Sequence, residues 1–87
     1  MELLKEIVGE ENGKTSRCTL WIGGGGYFEG VKAVGDFSSE QIVLYFPHAS
    51  VQIDGVDLSI GKYCDGDLRL KGKVRSMQFF NKDGAPI

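Results

Sequence analysis

The chain has very few of the residues from which metal sites and catalytic dyads are assembled. It holds one histidine, His48, and two cysteines, Cys18 and Cys64, in 87 residues. These show no CxxC or HxxxH pairing, and zinc sites need several such ligands at set spacing. His48 directly follows Pro47 and reads as a loop histidine. Two cysteines make no disulfide framework, and in a reducing cytosol both stay thiols. The acids Asp54, Asp57, Asp65 and Asp67 lie close together, without the calcium-loop spacing and its closing glutamate. Asp54 and Asp65 each precede a glycine and are accounted for as turn residues. No nucleophile, base and orienting group can be named together. The expectation is a protein without enzymatic activity, catalytic residues, metal or cofactor.

An excess of basic charge is also lacking. Ten Lys and Arg stand against twelve Asp and Glu, for a net charge of −2. Such a chain has no field to hold a phosphate backbone, so no nucleic-acid partner is expected. A loose basic group, Lys62, Arg69, Lys71, Lys73 and Arg75, reads as the solvated face of a strand. Long hydrophobic runs are absent as well. The longest, Ile42 to Phe46, is far short of the roughly 20 residues of a membrane-spanning helix. No basic region followed by an apolar stretch opens the chain. The expected location is cytoplasmic.

Glycine is what the chain has in abundance: thirteen, with only two prolines. Four stand in a row, Gly23 to Gly26. A dinucleotide fingerprint needs glycines at positions one, three and six at the start of a helix, and no frame through this run supplies them. A flexible loop or a glycine-enabled bulge is the simpler reading. Gly9 to Thr15 imitates a phosphate-binding loop, but with three residues between its glycines instead of four and two acids that would repel phosphate.

The length allows one domain. Residues 1–16 form an N-terminal segment, either a short helix or an extra strand; residues 17–80 form a β domain; residues 81–87 are a tail. Asn12-Gly13 is a turn signal. Strands are expected at Cys18–Ile22, Tyr27–Val34 and Glu40–Phe46, the last covered on both faces, with a turn at 36–39 and a stop at Pro47-His48. Asp54-Gly55 predicts a type I′ hairpin that pairs Ile53 with Val56 and Val51 with Leu58. Asp65-Gly66 predicts a second hairpin, in which a two-residue loop pairs Tyr63 with Leu68; its phases do not match cleanly and call for a bulge near Gly61-Lys62 or a longer loop. Met77 and Phe79 fall out of phase with Leu68, Leu70 and Val74, which calls for another bulge near Ser76 or a strand buried on both sides. The expected fold is mainly β: one antiparallel roll or small open barrel of six to eight short strands, with at most one short N-terminal helix.

Adjacent aromatics cannot both face one core in an alternating strand. Tyr27, Phe28, Phe79 and Phe80 therefore form the candidate interaction surface. Phe79 and Phe80 sit on the last expected strand, a plausible edge through which a protein partner or a second copy could dock.

One ordered pattern spans about fifty residues. It runs from Gly30-Val31-Lys32-Ala33-Val34 through Phe37, Ser39-Glu40 and Ile42-Val43-Leu44 to Val51-Gln52-Ile53-Asp54-Gly55 and Leu58-Ser59-Ile60. It closes with Leu68-Arg69-Leu70-Lys71-Gly72-Lys73-Val74 and Phe79-Phe80. The pattern resembles the YabP/YqfC family of small sporulation proteins, and Gly30-Val31-Lys32 places it nearer the YabP branch. The four-glycine run departs from the family's character. The resemblance implies a non-enzymatic adaptor made during endospore formation in a Gram-positive cell. Such a protein would act in spore envelope assembly, in cortex or coat, and lie peripheral to a membrane through a partner. It brings no catalytic residue with it. The alternative is a small-ligand-binding or general protein-interaction β module unrelated to sporulation.

Overall fold

The computed structural model describes residues 6–11 and 14–87, with side chains from Ser16 onward. Seven strands follow one another: β1 (Glu6–Glu11), β2 (Lys14–Leu20), β3 (Gly26–Glu29), β4 (Ala33–Phe37), β5 (Gln41–Phe46), β6 (Ala49–Cys64) and β7 (Asp67–Asn81). All pairings are antiparallel, in one open sheet of order β1-β2-β3-β7-β6-β5-β4. The fold class is mainly β, as expected, and no helix occurs among the described residues. Glu6–Glu11 is a strand. The first five residues of the N-terminal segment, expected as a short helix or an extra strand, fall outside the described ones. So does the Asn12-Gly13 turn signal, between the paired residues Glu11 and Lys14.

The strands are not uniformly short. β6 and β7 have 16 and 15 residues and form one long ribbon. Its turn is Asp65-Gly66, where Asp65 has φ 54° and Gly66 φ 84°, the two positive values of a type I′ turn. Tyr63 pairs with Leu68, as its spacing predicts. The hairpin expected at Asp54-Gly55 does not form. That dipeptide lies inside β6, with Asp54 between Gln41 of β5 and Ser76 of β7. The chain reverses instead at Pro47-His48, so Phe46 faces Ala49.

Three irregularities in the ribbon reset its phase. Between Asp54↔Ser76 and Gly55↔Val74, β7 carries the extra residue Arg75; between Ile60↔Leu70 and Lys62↔Arg69, β6 carries Gly61. In both places the bulge, one of the two expected alternatives, is the one that forms. A third, between Val56↔Lys73 and Ser59↔Lys71, places Asp57 at φ 55° opposite Gly72 at φ 111°. A side chain at Gly72 would collide with the Asp57 carbonyl, so glycine is required there on two counts.

The bulges bend the ribbon. Its turn end carries β3 alongside β7, and its open end carries β5 alongside β6. The molecule measures 34 × 31 × 26 Å. A flat sheet would be only about 10 Å thick, so the sheet curls on itself. Inside the curl lie Cys18, Phe28, Val31, Ile42, Leu44, Val51, Ile53, Leu58, Leu68 and Leu70. β5 is covered on one face only: Ile42 and Leu44 are buried, whereas Tyr45 is 46% exposed. A single curled layer has one inner face, which is why the all-apolar run is not enclosed on both sides. The expected strand Tyr27–Val34 is split at Gly30, φ 83°, into β3 and β4. The expected turn at 36–39 moves to Ser38–Gln41, because Asp36 and Phe37 belong to β4. There Ser38 Oγ accepts hydrogen bonds from the amides of Glu40 and Gln41.

Candidate functional site

Because partners in neighbouring strands share a face, the register assigns each aromatic to a side of the sheet. Phe28 is fully buried at the centre of the core. It offers no surface, a correction to its place in the predicted interaction patch. Alternation within β3 then turns Tyr27 outward. Partial burial raises the Tyr27 phenol above its ordinary pKa, helped by the Asp67 carboxylate, which accepts its hydrogen bond, and by Glu29.

Phe79 and Phe80 likewise divide. Phe79 packs against the core. Phe80 lies in the outward row Tyr45–Ser50–Phe80. The Tyr45 ring covers the backbone of Gly35, where an added side chain would meet it. Further along the same face, beyond the row Val43–Gln52–Gln78, a polar network replaces aromatics: Asp54 accepts hydrogen bonds from Gln41 Nε2 at 3.2 Å and from Ser76 Oγ at 3.4 Å.

β7 is not an edge strand of the sheet; β1 and β4 are. β3 reaches only Leu68–Leu70, however, so the later part of β7 has an outer side of its own. The tail folds back onto that side. Asn81 N–H donates to Ala85 O, Ile87 N–H donates to Phe79 O, and Phe80 faces Pro86. Asn81 Oδ1 holds the reversal by accepting from the amides of Asp83 and Ala85.

Toward the turn end of the ribbon the outward face carries charge. Asp67, Arg69, Lys71 and Lys73 alternate with inward Leu68 and Leu70 and the Gly72 backbone. The basic group is thus a strand face, as read from the sequence. The sequence reading missed its neighbour: Trp21 closes a cleft of about 610 Å³ with Lys62, Arg69 and Lys71. About forty to fifty residues separate Trp21 from these cations, and no local signal links them.

The glycine run is what places Trp21. Trp21 N–H donates to Gly25 O, Gly24 N–H donates to Trp21 O, and Val74 N–H donates to Gly24 O. At Gly25 any Cβ would collide with the Leu70 carbonyl. The run is therefore a tight crossing over β7. Cys18 is buried and Cys64 exposed. Among the described residues no group of His, Cys, Asp and Glu is placed to hold a metal ion, and no helix is long and apolar enough to cross a membrane.

No curated protein and no solved structure shows significant similarity to the chain. A family match does, over residues 15–85, which takes in β2 through β7 and most of the tail. It begins at the second strand and extends past the Phe79-Phe80 end of the pattern seen in the sequence. On that match, the chain belongs to the YabP family.

Proposed function

We propose that this protein is a non-enzymatic adaptor of spore envelope assembly, made during sporulation and working through protein contacts. Family membership over residues 15–85 carries the reading, because the YabP family is associated with sporulation. The outward row Tyr45–Ser50–Phe80 supports a contact role, since aromatics on a solvated sheet face are characteristic of interfaces. A partner or a second copy would cover Phe80 and Tyr45, and the location would be cytoplasmic, peripheral to a membrane through that partner.

The rival, a small-ligand binder using the glycine loop, has less in its favour. Gly24 and Gly25 are engaged with β7 and leave no open phosphate cradle.

The test is expression timing combined with deletion. The adaptor reading expects the protein to appear only in sporulating cells and expects spores of a deletion strain to have a defective cortex or coat. Equal levels in vegetative cells with normal spores would end it. Phe80→Ser, compared with wild type by sedimentation and by recovery of bound proteins, locates the contact. Unchanged association would remove Phe80 from it.

A further inference from the structure

Trp21 is the only tryptophan of the chain and is 46% exposed, and Ile22 beside it is 88% exposed. With Gly23 and Gly24 they form a tip that carries no polar side chain. The tip is held in place by the three backbone hydrogen bonds of the glycine crossing, at 2.8–3.0 Å. Its apolar exposure is therefore built into the fold.

Beneath the tip, Lys62, Arg69 and Lys71 converge on the cleft closed by Trp21, and no acidic residue lines it among the described residues. Gly61 makes room for this convergence: a Cβ there would lie 2.9 Å from Lys71 Cδ. The chain as a whole is net acidic, so the cationic cluster runs against its overall charge.

We propose that this face docks directly on an anionic lipid bilayer. Trp21 and Ile22 enter the headgroup region, and Lys62, Arg69 and Lys71 meet lipid phosphates. Tryptophan favours the membrane interface because its ring is apolar and its N–H can stay hydrated. Cations beside an inserted apolar tip add attraction to anionic lipid, about fivefold in affinity for each. Ile22 stands outside the cleft, so a peptide seated there would leave it bare, whereas a bilayer covers tip and cations together. Nucleic acid fits poorly, because it would meet Lys62, Arg69 and Lys71 but leave the apolar Ile22 in water. The inference goes beyond the adaptor reading, in which the membrane is reached through a partner.

Purified protein and vesicles test it without any sporulation component. Phosphatidylcholine vesicles containing phosphatidylglycerol should co-sediment the wild type, and pure phosphatidylcholine vesicles should not. Emission from Trp21 should shift to the blue on binding, and raised salt should release the protein. Lys62→Gln/Lys71→Gln should weaken binding about twenty-five-fold, and Ile22→Ser should weaken it while reducing the shift. Both variants change exposed side chains, and an unchanged circular dichroism spectrum verifies their folding. Absence of binding to the anionic vesicles would overturn the proposal, as would binding that ignores salt. Quenching of Trp21 by poly-glutamate or inorganic phosphate, without vesicle binding, would also overturn it and assign the cleft to a soluble anion.

Discussion

Asp54-Gly55 and Asp65-Gly66 are the same dipeptide, eleven residues apart, and the fold uses them in opposite ways. At 65–66 both residues take positive φ and the chain reverses. At 54–55 the chain runs straight on, and the Gly55 N–H donates to Glu40 O. The flanks decide the outcome. A hairpin at Asp54 would satisfy four apolar residues locally. The extended strand instead puts Val51 and Ile53 between β5 and β7, so that both neighbours gain a central partner and both residues are buried. Local conformational effects of residues such as glycine amount to about 0.4–1 kcal/mol, whereas fully burying each aliphatic side chain contributes roughly 1.5–3 kcal/mol. Burial therefore prevails at Asp54. At Asp65 no further strand pairs beyond the turn among the described residues, and Val31 N–H, which donates to Gly66 O, holds the reversal.

The largest expected effect breaks the interior region itself. Ile53→Ala, at a fully buried position, should destabilise the protein by about 2–5 kcal/mol in denaturant unfolding. Tyr63→Ala, exposed beside the true turn, should change stability by less than about 1 kcal/mol. If the two changes matched, burial would not be the deciding term.

The two glycines sharpen the contrast, since each is required for a different reason. A side chain at Gly55 would collide with the Lys73 carbonyl, so Gly55→Ala should cost about 2–3 kcal/mol by forcing β6 and β7 apart. At Gly66 the nearest atom to an added Cβ is 3.5 Å away and only the positive φ resists. Gly66→Ala should then cost about 1–2 kcal/mol. Gly66→Asn should recover most of that loss, and Gly55→Asn none of it.

Smaller effects belong to the acids. Asp54→Ala removes the acceptor of Gln41 and Ser76 and should cost about 1 kcal/mol. Asp67 follows the true turn and acts through Tyr27. The raised phenol means that its contribution to stability is fully present below the ordinary tyrosine pKa of about 10 and is lost as pH rises through the higher folded value. Ultraviolet titration should find Tyr27 ionising above a free phenol, and Asp67→Asn should lower its midpoint. An unmoved midpoint would remove Asp67 as a cause.

Legibility followed the range of the interactions. The bulge at Gly61 could be read because Tyr63 and Leu68 are joined by a local turn that fixes their register. The break near Ser76 could be read because Val74 and Met77 are three apart where alternation requires two. That adjacent aromatics must divide was also visible: Phe79 turns inward and Phe80 outward. Which ring of the Tyr27-Phe28 pair enters the core was not visible, because it depends on β3 pairing with Leu68 across some forty residues. The Trp21 cleft was illegible for the same reason.

By itself the sequence determined the β character, the Asp65-Gly66 turn, the two phase-resetting bulges and the family. Each is recorded in residues near one another in the chain or in an ordered set of them. Tertiary structure alone decided that Asp54-Gly55 stays extended, that Phe28 is core and that β7 lies inside the sheet. It also brought Trp21 to Lys62, Arg69 and Lys71. These outcomes depend on which distant strands pair, and burial between pairing strands outweighs the preference of any single turn.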